Sequence, residues 1–138
     1  MTETTLTPAV VLAATHSTPA VNFDFAAHRL WLKGEAYPEN AAAFFRPLIQ
    51  AVENWLDASP IDAQPIELHV ALSYFNSSST KLLFEFFESL NGFAKGGKAC
   101  ELHWYYDADD DISEEFGQEV SLDFPALAVF LTPDLNAC

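Results

Sequence analysis

Residues 66–93 read IELHVALSYFNSSSTKLLFEFFESLNGF. Ile66 to Phe75 alternates at first and then becomes continuously apolar, the pattern of a strand in the middle of a sheet. The apolar run breaks at Asn76, Ser77, Ser78, Ser79 and Thr80, and a helical pattern starts at once, predicted to end at Asn91 and Gly92. Asn76 or Ser77 can serve as the N-cap, a role worth about 0.5–2 kcal/mol. A cap uses one side chain, and three serines in a first helical turn are poor helix formers. From the residues alone, the surplus hydroxyls either fill the first helical turn or serve a use at the surface.

Outward from this strand and helix, the chain alternates the two element types. Ala20 to Phe25 and Arg29 to Lys33, joined by a turn at Ala26 to His28, read as a hairpin. Pro38 is expected to open a helix whose apolar face runs from Phe44 to Leu56, with Pro47 bending it or tightening its start. Ser59 to Gln64 reads as a loop, Ala99 to Tyr106 as a strand, Asp111 to Val120 as a short acidic helix, and Leu122 to Leu131 as the source of a last strand. Strands alternating with helices give α/β crossovers and a mixed, mostly parallel sheet edged by the N-terminal hairpin, with helices packed against it. Residues 1–17 are read as a flexible leader, 18–131 as one domain and 132–138 as a tail.

Parallel strands send all their strand-to-helix turns to one rim, where helix N-termini present N–H groups. Tyr37-Pro38-Glu39-Asn40, Asn76-Ser77-Ser78-Ser79 and Tyr105-Tyr106-Asp107 meet there. Tyr37, Tyr74, Tyr105 and Tyr106 cannot all be buried at strand ends; for Tyr74 and Tyr105, finishing the core is at least as good a reading as anchoring a partner. Tyr106 and Glu39 are expected to stay exposed as partner anchors whose loss leaves stability unchanged.

Composition narrows the functions. Of 138 residues, 50% are hydrophobic and 14% aromatic, enough for one core and too few for two ordinary domains. Twenty acids against six lysines and arginines give a net charge of −14, which opposes binding to nucleic acid or an anionic membrane surface. Two cysteines make no disulfide framework and suit a reducing cytoplasm. The apolar stretch Ala9 to Ala14 follows Glu3 and is short for a signal sequence.

Catalytic and metal motifs fail on context. Ser78-Ser79-Thr80-Lys81 fits the S-x-x-K of β-lactamases without its companion elements, and no G-x-S-x-G elbow is present. Gly92 to Lys98 fits G-x-x-x-x-G-K, but it leaves a helix and enters a strand, the reverse of a phosphate-binding loop. It reads as a helix C-cap and turn, with Lys95 and Lys98 near the negative helix end. Asp107, Asp109 and Asp111 occupy the first positions of a calcium loop whose sixth would be Ile112 and whose twelfth would be Gln118. His69 and His103 lie one in each of two strands, and no histidine or cysteine pair has zinc spacing. No metal ligand set, cofactor or catalytic residue is expected.

Four segments in order, Ser17-Thr18-Pro19-Ala20, Tyr37-Pro38-Glu39-Asn40, Tyr74-Phe75-Asn76-Ser77-Ser78-Ser79 and His103-Trp104-Tyr105-Tyr106-Asp107, give the chain a resemblance over residues 17–125 to the SiaC family of bacterial biofilm-regulation phosphoproteins. The resemblance implies a fold similar to the STAS domain of anti-sigma-factor antagonists. It also implies a protein that, unphosphorylated, binds and activates a diguanylate cyclase, under the control of a dedicated serine/threonine kinase and a PP2C-type phosphatase. The family's phosphoacceptor is the threonine of an N-T-S-S motif, a position held here by Ser77. Tyr37, Glu39, Asn40, Asn76, Ser78, Tyr106 and Asp107 are the partner-binding residues that the rim and the family motifs suggest. The competing reading is a small enzyme or ligand-binding domain that uses Ser77, Glu39 and Asp107 at the same rim.

Overall fold

β4 (Ile66–Phe75) lies in the interior of a six-stranded sheet and is paired along both edges. The computed structural model describes residues 9–59 and 64–137. Around β4 the chain runs β1 (Val10–Leu12), β2 (Ala20–Asp24), β3 (Arg29–Ala36) and α1 (Ala41–Ala58), then α2 (Ser77–Lys95), β5 (Cys100–Tyr105), α3 (Asp111–Asp123) and β6 (Ala128–Thr132). The sheet order is that of the sequence; β1, β2 and β3 pair antiparallel, and β3, β4, β5 and β6 pair parallel. The α/β class, the mostly parallel sheet and the N-terminal hairpin are as the sequence indicates.

Three crossovers that advance in one direction with the usual right hand place all three helices on one face of the sheet. The burial pattern agrees. Leu30, Leu32, Leu68, Val70, Leu102 and Trp104 are all essentially inaccessible and join Phe45, Leu83, Phe86 and Phe87 of the helices in one core. Alternate residues, among them Trp31, Glu67, His69, Glu101 and His103, point to the opposite face.

A bulge sits where β3 and β4 approach the rim: Gly34 pairs with Leu72 and Glu35 with Tyr74, leaving Ser73 as the extra residue. Gly34 has φ +132°, and Pro19 Cα lies 3.4 Å from where a Cβ would stand, so both backbone angle and space call for glycine. The inserted residue reverses the side-chain alternation beyond it. Tyr74 turns out to solvent, and Phe75 turns in to meet Trp104 and Phe116.

Several element limits depart from the sequence reading. Residues 10–12, assigned to the leader, form the edge strand β1 on β2. α1 starts at Ala41, because Asn40 Oδ1 accepts from the Ala43 amide at 3.0 Å and leaves Pro38 outside the helix. Pro47 lies inside α1, where the Ala43 carbonyl that it leaves unpaired is on an exposed part of the helix. α2 runs past Gly92 to Lys95, since Asn91 is buried and its Oδ1 accepts from the Ala126 amide at 2.9 Å instead of ending the helix. Lys98 donates to the carbonyl of Ser59, the C-cap of α1. α3 continues to Asp123, so β6 begins only at Ala128. Within the expected loop 59–64, residues 60–63 lie outside the described residues.

α3 packs through Gly117, where an added Cβ would stand 2.7 Å from the Trp104 ring and 2.6 Å from Leu131 Cδ2. Trp104 is fully buried, wedged against Phe116 and Phe87, and its Nε1 donates to the Ser113 carbonyl at 2.9 Å. Gly117→Ala improves helix propensity by about 1 kcal/mol but overpacks a rigid ring, at a cost of about 1–3 kcal/mol. The expected result is a lower urea midpoint with an unchanged m-value; an unchanged or higher midpoint would show that α3 is free to move outward.

Candidate functional site

The C-terminal ends of β3, β4 and β5 reach one rim, and α2 starts there. Asn76 is the N-cap: its Oδ1 accepts from the Ser79 amide at 2.9 Å. Thr80 Oγ1 donates back to the Asn76 carbonyl at 3.1 Å, and Ser79 is completely buried. Of the five polar residues from Asn76 to Thr80, only Ser77 and Ser78 are exposed. The Ser77 hydroxyl is therefore presented at a helix N-terminus whose cap is supplied by its neighbour.

Ser77 lines a cleft of about 600 Å³ between the start of α2 and the first turns of α3. Its apolar wall is Tyr74, Phe75, Ile112 and Phe116, and Asp110, Glu115 and Glu119 add carboxylates. Ile112 is 78% exposed and Tyr74 53% exposed, an unusual amount of apolar surface beside one hydroxyl. Tyr74 meets the edge of Tyr37 at 5.7 Å, and Tyr37 meets His16 at 6.4 Å. The Tyr37 amide donates to the Ser17 carbonyl at 2.8 Å, which ties the segment before β2 to this rim.

The expected partner-binding residues divide into groups. Tyr37 joins the aromatic row leading to the Ser77 cleft, and Ser78 is exposed beside Ser77. Asn40 and Asn76 are the N-caps of α1 and α2, so both have structural work at the rim. Glu39 is exposed just before α1. Asp107 is exposed, its carboxylate accepts from the Asp109 amide, and it lines a second cleft that shares Ser73, Asp110 and Ile112 with the first. Tyr106 is not an exposed anchor: it is 7% accessible and belongs to the core. The signal was present in β5, where Cys100, Leu102, Trp104 and Tyr106 fall on one parity. Tyr74, which the sequence leaves open between core and rim, is turned outward by the bulge. Among the described residues, His16 and Ile112 are rim residues that motif reading missed.

A second cluster lies on the helix-free face. His69 is 7% accessible, and its imidazole stacks on Trp31 at 4.0 Å and on His103 at 4.4 Å, with Phe130 stacked on His103 at 4.8 Å. His69 Nδ1 lies 2.8 Å from the Tyr105 hydroxyl and Nε2 2.8 Å from Glu67, while His103 Nε2 lies 2.9 Å from Glu101. Burial lowers the His69 pKa, against the pull of the Glu67 hydrogen bond, and so favours the neutral ring. Cys100 is also buried, and its thiol is pushed up to about 11, far from a reactive thiolate.

Tyr106→Ala, which empties a buried site, is expected to lower Tm by several degrees, whereas Tyr74→Ala and Glu39→Ala leave it nearly unchanged. Scanning calorimetry separates the cases, and a shift from Tyr74→Ala as large as that from Tyr106→Ala would mean that Tyr74 packs as core.

Residues 12–133 match the model of the SiaC family regulatory phosphoproteins. An uncharacterised protein of Pseudomonas aeruginosa (strain UCBPP-PA14) is 36% identical over 118 residues, covering 82% of this chain and 90% of that one. Apo-SiaC of Pseudomonas aeruginosa superposes with a TM-score of 0.81 at 30% identity, over 91% of this chain and 98% of that one. SiaC of the same organism in complex with the diguanylate cyclase SiaD, of which it is the activator, superposes with a TM-score of 0.77 at 33% identity, over 88% and 98%. With its sequence matched almost from end to end and its strands and helices superposing on solved members, the chain belongs to the SiaC family of regulatory phosphoproteins.

Proposed function

We propose that this chain activates a diguanylate cyclase when Ser77 carries no phosphate, and that phosphorylation of Ser77 by a dedicated serine/threonine kinase, reversed by a PP2C-type phosphatase, turns the activation off. The observation that carries the proposal is the division of labour at the start of α2: Asn76 holds the cap, so the exposed Ser77 hydroxyl can be modified without unmaking the helix. The similarity to a SiaC solved with the cyclase that it activates supports the partner class.

A phosphoserine adds about −1.5 to −2 charges at pH 7. The first-turn N–H groups of α2 tolerate that charge, while Asp110, Glu115 and Glu119 line the same cleft and add to a negative field that a partner must meet. An apolar partner segment packed on Tyr74 and Ile112 would have to bury or displace the dianion, so modification acts on binding and leaves the fold in place. The protein is read as cytoplasmic and without catalysis of its own; among the described residues, no histidine or lysine lines the cleft with Ser77 to activate its hydroxyl. No described helix is long and apolar enough to cross a membrane.

Ser77→Ala should keep or slightly raise Tm, because alanine is the better helix former and Asn76 retains the cap. It should also bind and activate the cyclase constitutively. Ser77→Asp should stay folded and bind at least about tenfold more weakly, a difference of about 1.4 kcal/mol. Calorimetry against the host's cyclase and phosphopeptide mapping after kinase treatment test this. A phosphate found on Ser78, Ser79 or Thr80, or equal cyclase affinity for the two variants, would show that Ser77 is not the switch.

A further inference from the structure

The helix-free face of the sheet repeats one pattern on neighbouring strands. Glu67 and His69 of β4 are two residues apart, as are Glu101 and His103 of β5, so each pair points to one side. The parallel register sets Glu67 beside Glu101 and His69 beside His103. Two carboxylates and two imidazoles thus form a grid that no local motif contains, and the ligand atoms of Glu67, His69 and His103 all lie within 4.8 Å of one another.

We propose that this grid is a binding site for a zinc-class divalent metal ion, held by His69, His103 and Glu67, with Glu101 beside them. Imidazole and carboxylate donors suit first-row ions of this class. A tetrahedral ion with bonds of about 2.0–2.1 Å holds its donors about 3.4 Å apart. The strands place the donors within 4.8 Å of one another; because the two imidazoles stack at 14°, binding requires the His103 ring to turn out of the stack so that both lone pairs aim at one ion, with the backbone left in place.

The surroundings are built for such an ion. In the free protein His69 Nε2 donates to Glu67; with an ion bound, the Tyr105 hydroxyl at 2.8 Å can accept the proton on Nδ1, which frees the Nε2 lone pair for the metal. Trp31 stacks on the outer face of His69 and holds that ring, whereas Phe130, which stacks on His103, lies on the edge strand and is 47% exposed, so the His103 ring has room to turn. The two carboxylates offset the charge of a dication. Arg29, whose Nε is 3.7 Å from Glu67, opposes it, but the Arg29 side chain is 62% exposed and can swing into water. The site lies away from the Ser77 cleft, shares none of its lining residues, and stands whether or not Ser77 is the switch.

The test uses the full chain, free of any polyhistidine tag and stripped with a chelator, titrated with cobalt(II) and then zinc(II). The expected result is one cobalt per chain with the visible d–d bands of a low-coordinate site, their loss on adding zinc, and quenching of tryptophan fluorescence through Trp31. His103→Gln and Glu67→Gln, each checked for native circular dichroism, should weaken binding at least about tenfold, and Ser77→Ala should not change it. Glu67 and His103 are both partly accessible, so at least one of these variants is expected to fold. Absence of stoichiometric binding, binding unchanged in both variants, or binding lost instead in Asp109→Asn/Asp111→Asn would overturn the proposal.

Discussion

The pairing of β4 along both of its edges is the constraint on which the rest of this protein depends. Because β3, β4, β5 and β6 are parallel and laid down in sequence order, every connection must cross over in the same direction, and the three helices have one face of the sheet to occupy. That single choice produces two surfaces of different character. All strand-to-helix turns arrive at one rim, where helix N-termini and loop side chains gather. The opposite face of the sheet keeps its alternate side chains uncovered by any described helix, and there the exact pairing of neighbours decides which groups meet.

At the rim, the first turn of α2 shows how a weak local effect sets a functional geometry. Five polar residues compete for the same few orphan amides and carbonyls. Asn76 takes the Ser79 amide, Thr80 takes the Asn76 carbonyl, and Ser79 is drawn into the core. Ser77 and Ser78 are left facing solvent, with a capped helix beneath them. The bulge at Ser73 acts on the same spot from the strand side, turning the Tyr74 ring outward next to Ser77. The phosphoacceptor role proposed for Ser77 needs both access and a scaffold that survives the new charge, and these two local devices supply them together.

The acidity of the chain takes on a location once the fold is known. Asp110, Glu115 and Glu119 border the Ser77 cleft, and Asp109 and Asp111 line the neighbouring one. Asp109, Asp110 and Asp111 lie at the N-terminus of α3, which favours negative charge, whereas Glu115 and Glu119 lie beyond its first turn and face the cleft.

The sequence by itself determined the alternation of strands and helices, the β2–β3 hairpin, the full extent of β4, the rim and the Asn76 to Thr80 turn, because hydrophobic periodicity and capping are properties of neighbouring residues; the edge strand β1, within the segment read as leader, it did not. Only the tertiary structure decided where α2 stops, since Asn91 looks like a helix end until the Ala126 amide claims its side chain. It decided that Tyr74 is out, because a bulge reverses alternation and depends on the partner strand; Tyr106 was legible from the parity of the strand read over Ala99 to Tyr106, but its place as the last residue of that strand made exposure the simpler reading. It also decided that His69 and His103 are neighbours: they are separated in sequence by an entire helix, and register between strands is set by packing and hydrogen bonding across the sheet, which no spacing within the chain encodes.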